Sequence, residues 1–101
     1  MYIYNLTFVI DNQLHNQWLE WFEKEYLPSL KTSKLVSQVR VFKVLTTQPE
    51  PTYAIHHQTE SPQQLLSFTQ EDIPRVQSRC FQLFGDKVLT FGTQLKEVSL
   101  K

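Results

Sequence analysis

Glycine and cysteine are scarce in this chain, and their scarcity removes most familiar active-site signatures. Two glycines, Gly85 and Gly92, are all that 101 residues offer. They cannot build a phosphate-binding Walker loop, a dinucleotide-binding glycine pattern or a nucleophile elbow. The single Cys80 excludes an internal disulfide and a cysteine-based metal site, and points to a reducing cytoplasm. Its neighbours, from Val76 to Phe84, read as the apolar side of a helix, so a packed, unreactive thiol is expected. Net charge is also missing. Ten basic residues balance ten acidic ones, leaving no overall field to attract nucleic acid or an anionic membrane. No run approaches the ~18 apolar residues of a membrane span. The first ten residues lack a basic n-region and a small-residue cleavage site, so they read as a strand and not a signal peptide. Histidines are few, and residues 61–84 contain none that could serve as an axial haem ligand. His56 and His57 are neighbours on a strand and point to opposite faces, which prevents joint chelation of one metal. No metal or other cofactor is therefore expected.

What the chain does have is a dense aromatic helix between regular strands. Residues 2–10 alternate, with Tyr2, Tyr4, Leu6, Phe8 and Ile10 on one face and Ile3, Asn5, Thr7 and Val9 on the other. Asp11 or Asn12 is placed to cap a helix over residues 12–31. Its apolar positions Leu14, Trp18, Trp21, Phe22 and Leu27 follow the helical period. Pro28 should kink or end it near Tyr26, with one further turn to Lys31. Residues 34–45 form a second strand, and 46–51, with two prolines, a hairpin connection. In the third strand, residues 52–59, Tyr53, Ile55 and His57 oppose Ala54, His56 and Gln58. Ser61, Pro62 and Gln64 mark the start of a second helix. It carries Leu65, Leu66 and Phe68 inward, is interrupted at Pro74, and resumes with Val76, Cys80, Leu83 and Phe84. Gly85 stops it. Residues 87–98 close the chain as a fourth strand. Neither an internal repeat nor a low-complexity segment is evident.

The order β-α-β-β-α-β predicts an α+β, ferredoxin-like sandwich: one domain over residues 1–101, with a four-stranded antiparallel sheet and both helices on one face. The first and third strands should be central. The other sheet face would be open. It is expected to hold Ile3, Asn5, Thr7 and Val9 from the first strand, Val36, Gln38, Arg40 and Phe42 from the second, His56 and Gln58 from the third, and Val88, Thr90 and Gln94 from the fourth. That mixture is too apolar for a wetted surface and too polar for an ordinary core. A second copy of the chain is the simplest cover. RNA-binding sheets of this shape stack bases on aromatics of the two central strands, where Asn5, Thr7, His56 and Gln58 stand here, so nucleic acid is not the expected partner.

Taken together, Tyr4-Asn5, Thr7-Phe8, the pair Trp18 and Trp21, Leu27-Pro28, Arg40, Tyr53-Ala54, and Phe84-Gly85-Asp86-Lys87-Val88 with Phe91 resemble the bacterial family known as domain of unknown function 4286. The resemblance implies a dimeric α/β barrel, in which two such sheets face each other. Its superfamily includes cofactor-independent monooxygenases, isomerases and haem-degrading enzymes, so it implies no single reaction. The chain departs from the family pattern at Tyr26, where relatives often carry histidine, and at Lys34, often glycine. A homodimer that binds a small ligand or acts without catalysis is thus the first expectation, and a cofactor-independent oxygenase or isomerase the alternative. Candidate ligand residues are Asn5, Arg40, His56, Gln58, Trp18 and Tyr26. Candidate dimer contacts are Thr7, Val9, Gln38, Phe42 and Thr90. His15 is expected to be solvated or adjacent to the helix cap, and Glu20 and Lys24 form a helix-surface pair.

Overall fold

A computed structural model describes residues 1–100. The alternating residues form β1 (Tyr2–Ile10) with the expected bounds, and every second side chain from Tyr4 to Ile10 is buried. Asp11 then accepts a hydrogen bond from the Gln13 amide at 2.9 Å and caps the turn that opens the helical segment. This segment runs through α1 (His15–Trp21), a wide π-helical turn (Phe22–Tyr26) and α2 (Leu27–Lys31). Pro28 does not end it. The Leu27 amide bonds the Phe22 carbonyl five residues back, and the widened turn makes room for the proline ring, which would collide with the carbonyl four residues behind it in a regular helix. Trp18, Phe22, Tyr26 and Leu30 are all buried. Steps of four drift around a regular helix, and the wide turn takes up part of that drift. Leu27, expected inside, is only partly buried, while Tyr26 and Leu30 take its place in the core.

The second strand is shorter than expected: β2 spans Gln38–Lys43, and Val36 precedes it, packed against the core and not on the open face. β3 (Thr52–Thr59) matches the expected bounds. Ser61 accepts from the Gln64 amide at 3.1 Å and starts α3 (Pro62–Ser67), which runs through a second π-helical turn (Phe68–Asp72) into α4 (Ile73–Phe84). Pro74 does not interrupt this helix either, since the Ile73 amide reaches back to the Phe68 carbonyl. Phe68, Ile73 and Cys80 are buried, whereas Leu66 and Leu83, expected inside, are exposed. Both prolines follow the same pattern. Phe22, Glu25 and Pro28 match Phe68, Glu71 and Pro74, each 46 positions on, with Leu27 opposite the similar Ile73, so the two helical segments share a short pattern. Gly85 ends α4 at φ +64°, a backbone region that favours glycine. β4 (Val88–Lys96) follows.

The sheet is antiparallel throughout, in the order β2-β3-β1-β4, with β1 and β3 central. Its helical side holds one aromatic cluster. The Phe8 ring lies 5.1 to 6.5 Å from Trp18, Trp21, Phe22 and Tyr26, and such pairs add roughly 0.5–1.5 kcal/mol each beyond the burial of their area. The other side is uncovered. The shortest dimension of the backbone is 19 Å, about the depth of one sheet and one helical layer.

The register of β4 reverses the expected faces. Val88, Thr90, Gly92 and Gln94 pair with Ile10, Phe8, Leu6 and Tyr4, so they face the helices, and Gln77 donates to the Thr90 hydroxyl at 3.1 Å. Leu89, Phe91 and Leu95 pair with Val9, Thr7 and Ile3 and lie on the open face. The cause is steric. The Tyr4 ring covers Gly92, and a Cβ added there would overlap its hydroxyl, so this part of β4 accepts no larger inward side chain.

Candidate functional site

The candidate residues divide across the sheet. Asn5 pairs with His56, and His56 with Arg40, so these three side chains meet on the open face, with Gln58 one step along. Phe42 packs there against the His56 ring at 4.9 Å and under the Arg40 guanidinium at 5.7 Å. Thr7, Val9, Gln38 and Phe42 share this face, as expected. Thr90 does not, because the β4 register turns it toward α4. Trp18 and Tyr26 are buried among the helices on the far side. A cavity lined by Asn5, Arg40 and His56 therefore cannot also include Trp18 and Tyr26, and that arrangement for the oxygenase or isomerase alternative is not formed.

The open face is greasier than the sequence implied. Phe42, Leu89, Phe91 and Leu95 are 40%, 50%, 56% and 39% exposed and flank a more polar centre. There the Asn5 side-chain amide donates to the Thr7 hydroxyl at 3.5 Å, while its buried Oδ1 has no hydrogen-bond partner among the described residues. A buried unpaired acceptor of this kind costs about 1–3 kcal/mol.

A fully buried polar network lies on the helical side, at a residue the sequence reading set aside. His57 is fully buried. Its Nδ1 lies 2.9 Å from the Tyr4 carbonyl and its Nε2 2.6 Å from the Tyr26 hydroxyl. A carbonyl can only accept, so Nδ1 carries the proton and Tyr26 donates to Nε2. Burial pulls His57 down from 6.5 to about 4, against a smaller upward pull from the Tyr4 carbonyl. Burial, reinforced by the charge of Asp72, pushes the Tyr26 hydroxyl well above its ordinary value. Both groups are thus neutral at pH 7, which suits a structural pair better than a proton-transfer pair. One signal for His57 was present in the sequence. Alternation had already placed it beside Ile55 on the apolar face, where an imidazole must find partners. His15 also has one: it sits at the start of α1, next to the cap residue Leu14, and its Nε2 lies 2.8 Å from the Tyr53 hydroxyl.

Tyr26 also borders an open cleft of about 500 Å³ between the two helical segments. Glu25 is held there by Arg79, through Nε and Nη2 at 2.8 and 3.0 Å, and by the Trp21 indole at 2.7 Å. These bonds lower the Glu25 pKa, that of Arg79 most of all. Cys80 is buried and its thiol is pushed up to about 11, which makes it a poor nucleophile. Among the described residues no three His, Cys, Asp or Glu side chains are grouped to hold a metal, and no helix is long and apolar enough to cross a membrane.

Sheet order, antiparallel pairing and paired helices on one face define an α+β protein with a ferredoxin-like fold. Its sequence matches the model of the family Domain of unknown function (DUF4286) over residues 1–98, and the chain belongs to that family. Two solved structures share the fold. One is an ethyl tert-butyl ether degradation (EthD) family protein from Bacillus halodurans C-125, with a TM-score of 0.63, 8% identity, and coverage of 97% of this chain and 100% of that one. The other is At3g17210 from Arabidopsis thaliana, with a TM-score of 0.62, 14% identity, and coverage of 97% and 99%. No curated protein matches significantly.

Proposed function

We infer that the protein works as a homodimer, two single-domain copies joining through their open sheet faces around a polar strip suited to a small ligand. The observation that carries this reading is the row of exposed apolar side chains, Phe42, Leu89, Phe91 and Leu95, on a face with no layer over it. Burying such side chains contributes roughly 1.5–3 kcal/mol each. A two-fold pairing of identical faces is self-complementary by construction. It would enclose Asn5 and His56 of both copies, and the unpaired Asn5 oxygen would gain a donor from a ligand or from the second copy. The face is uncharged at its centre, with Arg40 toward one edge, which suits a small polar organic molecule and not a nucleic acid backbone. The dimeric barrel implied by the family resemblance supports the same assembly. The buried, unreactive Cys80 is in keeping with a cytoplasmic setting.

Sedimentation equilibrium tests this reading. The wild-type chain is expected to be dimeric at micromolar concentration. Phe91→Asp should weaken association at least about thirtyfold, equivalent to about 2 kcal/mol, without loss of helical circular dichroism. A wild-type chain that sediments as a monomer at that concentration removes the proposal.

A further inference from the structure

We propose that the cleft between the two helical segments binds a small organic monoanion, an aromatic or aliphatic body bearing one carboxylate-type group. At about 500 Å³ it falls in the range that holds drug-sized molecules. Its inner wall is apolar and aromatic, built by Trp21, Tyr26, Leu30, Leu35 and Val76, and its rim carries Lys34, Arg75 and Arg79. The charges are unequal. Glu25 is neutralised by Arg79, and Asp72 by Arg75 at 2.8 Å, whereas Lys34 has no acidic partner among the described residues. One positive charge is left over. Each arginine also keeps donors in reserve. Arg79 uses Nε and Nη2 on Glu25. Arg75 uses Nε on the Glu71 carbonyl and Nη2 on Asp72. Nη1 of each guanidinium is therefore available to an incoming anion, which can receive charge-assisted hydrogen bonds while its body lies on the Trp21 side. A cation would have to displace an arginine from a carboxylate first.

The site is on the helical layer, across the sheet from the inferred dimer face, and does not depend on dimerisation. The test uses the full chain labelled with ¹⁵N and three probes of one shape: 1-naphthoate, 1-naphthylmethanol and 1-naphthylmethylammonium. Naphthoate is expected to shift the Trp21 indole resonance and the amides of residues 33–35 saturably, while the buried Trp18 indole stays in place. The alcohol should bind more weakly and the ammonium weakest. Lys34→Glu, at an exposed position that leaves folding intact, should weaken naphthoate binding about tenfold and leave the alcohol unchanged. Equal affinities for the three probes, tighter binding of the ammonium, indifference to Lys34→Glu, shifts confined to Leu89 and Phe91, or no saturation at millimolar naphthoate would each overturn the proposal. The last three results leave the oligomeric state untouched, so the two readings fail separately.

Discussion

His56 and His57 share a peptide bond, yet the sheet sends their imidazoles to opposite environments. His57 is sealed under Tyr4, Tyr26 and Phe68, with both ring nitrogens bonded and its charge suppressed. His56 is half-buried on the open face beside Phe42 and Asn5. Each side of the sheet leaves one buried polar side-chain atom without a partner among the described residues, the Trp18 indole N–H on the covered side and the Asn5 Oδ1 on the open side, but only the open side also has apolar rings without a layer above them. Two imidazoles one residue apart thus differ in solvent access, in hydrogen bonding and in the packing around them.

Truncating the two histidines should give the largest contrast. His57→Ala leaves the Tyr26 hydroxyl and the Tyr4 carbonyl unpaired in the core and opens a cavity, and should cost about 3–4 kcal/mol in urea unfolding. His56→Ala, measured in the Phe91→Asp background to remove any interface term, should cost less than about 0.5 kcal/mol. Similar losses at both positions would erase the distinction.

Acid gives a nearly equal effect without mutation. The His57 pKa falls on folding, from 6.5 to about 4, so the unfolded chain takes up a proton that the native one refuses. Stability is fully present above pH 6.5 and should decline by about 3 kcal/mol as the pH drops to 4. The Glu25 pKa is also lowered, but from a starting value of 4.5, so its contribution is lost only below about pH 4.5. The slope between pH 6.5 and 4.5 should therefore flatten in His57→Gln, and an unaltered slope would assign it elsewhere.

Three smaller substitutions sharpen the same comparison. Gly92→Ala pushes a methyl into the Tyr4 ring and should cost about 2 kcal/mol by overpacking, while Thr93→Ala, one residue on and facing outward, should be nearly silent in thermal melts. Tyr26→Phe removes only the donor to His57 and should cost about 1–2 kcal/mol. In that variant the His57 resonances should titrate at a different pH from the wild type, since Nε2 has lost its donor.

Much of the architecture was legible because β1 and β3 alternate without interruption and Ser61 and Pro62 announce a helix. The fourth strand misled, since the most apolar set, Leu89, Phe91 and Leu95, belongs outside. Apolar-inward patterning fails here because the Tyr4 ring lies over Gly92 on the inner face, and β4 turns its larger apolar side chains outward. The site residues were less legible. Polarity drew attention to His56, whereas the better-connected group was the histidine beside it on the apolar side. The cleft depends on how two helical segments lie against each other, which no local pattern encodes. Its one trace in the chain, the repeated phenylalanine-to-proline motif, has only three identical positions and one similar one.

That repeat bears on the cleft's sense of direction. Carried on past the prolines, the same offset relates Ser29 to Arg75, Leu30 to Val76 and Ser33 to Arg79, and all six line the groove. The two banks are therefore related in sequence but unlike in chemistry, with hydroxyls and Lys34 on one and guanidinium groups on the other. An occupant with distinct ends would lie one way round and not the reverse, because flipping it would exchange the side with Lys34, unpaired among the described residues, for the side with the ion-paired guanidinium groups.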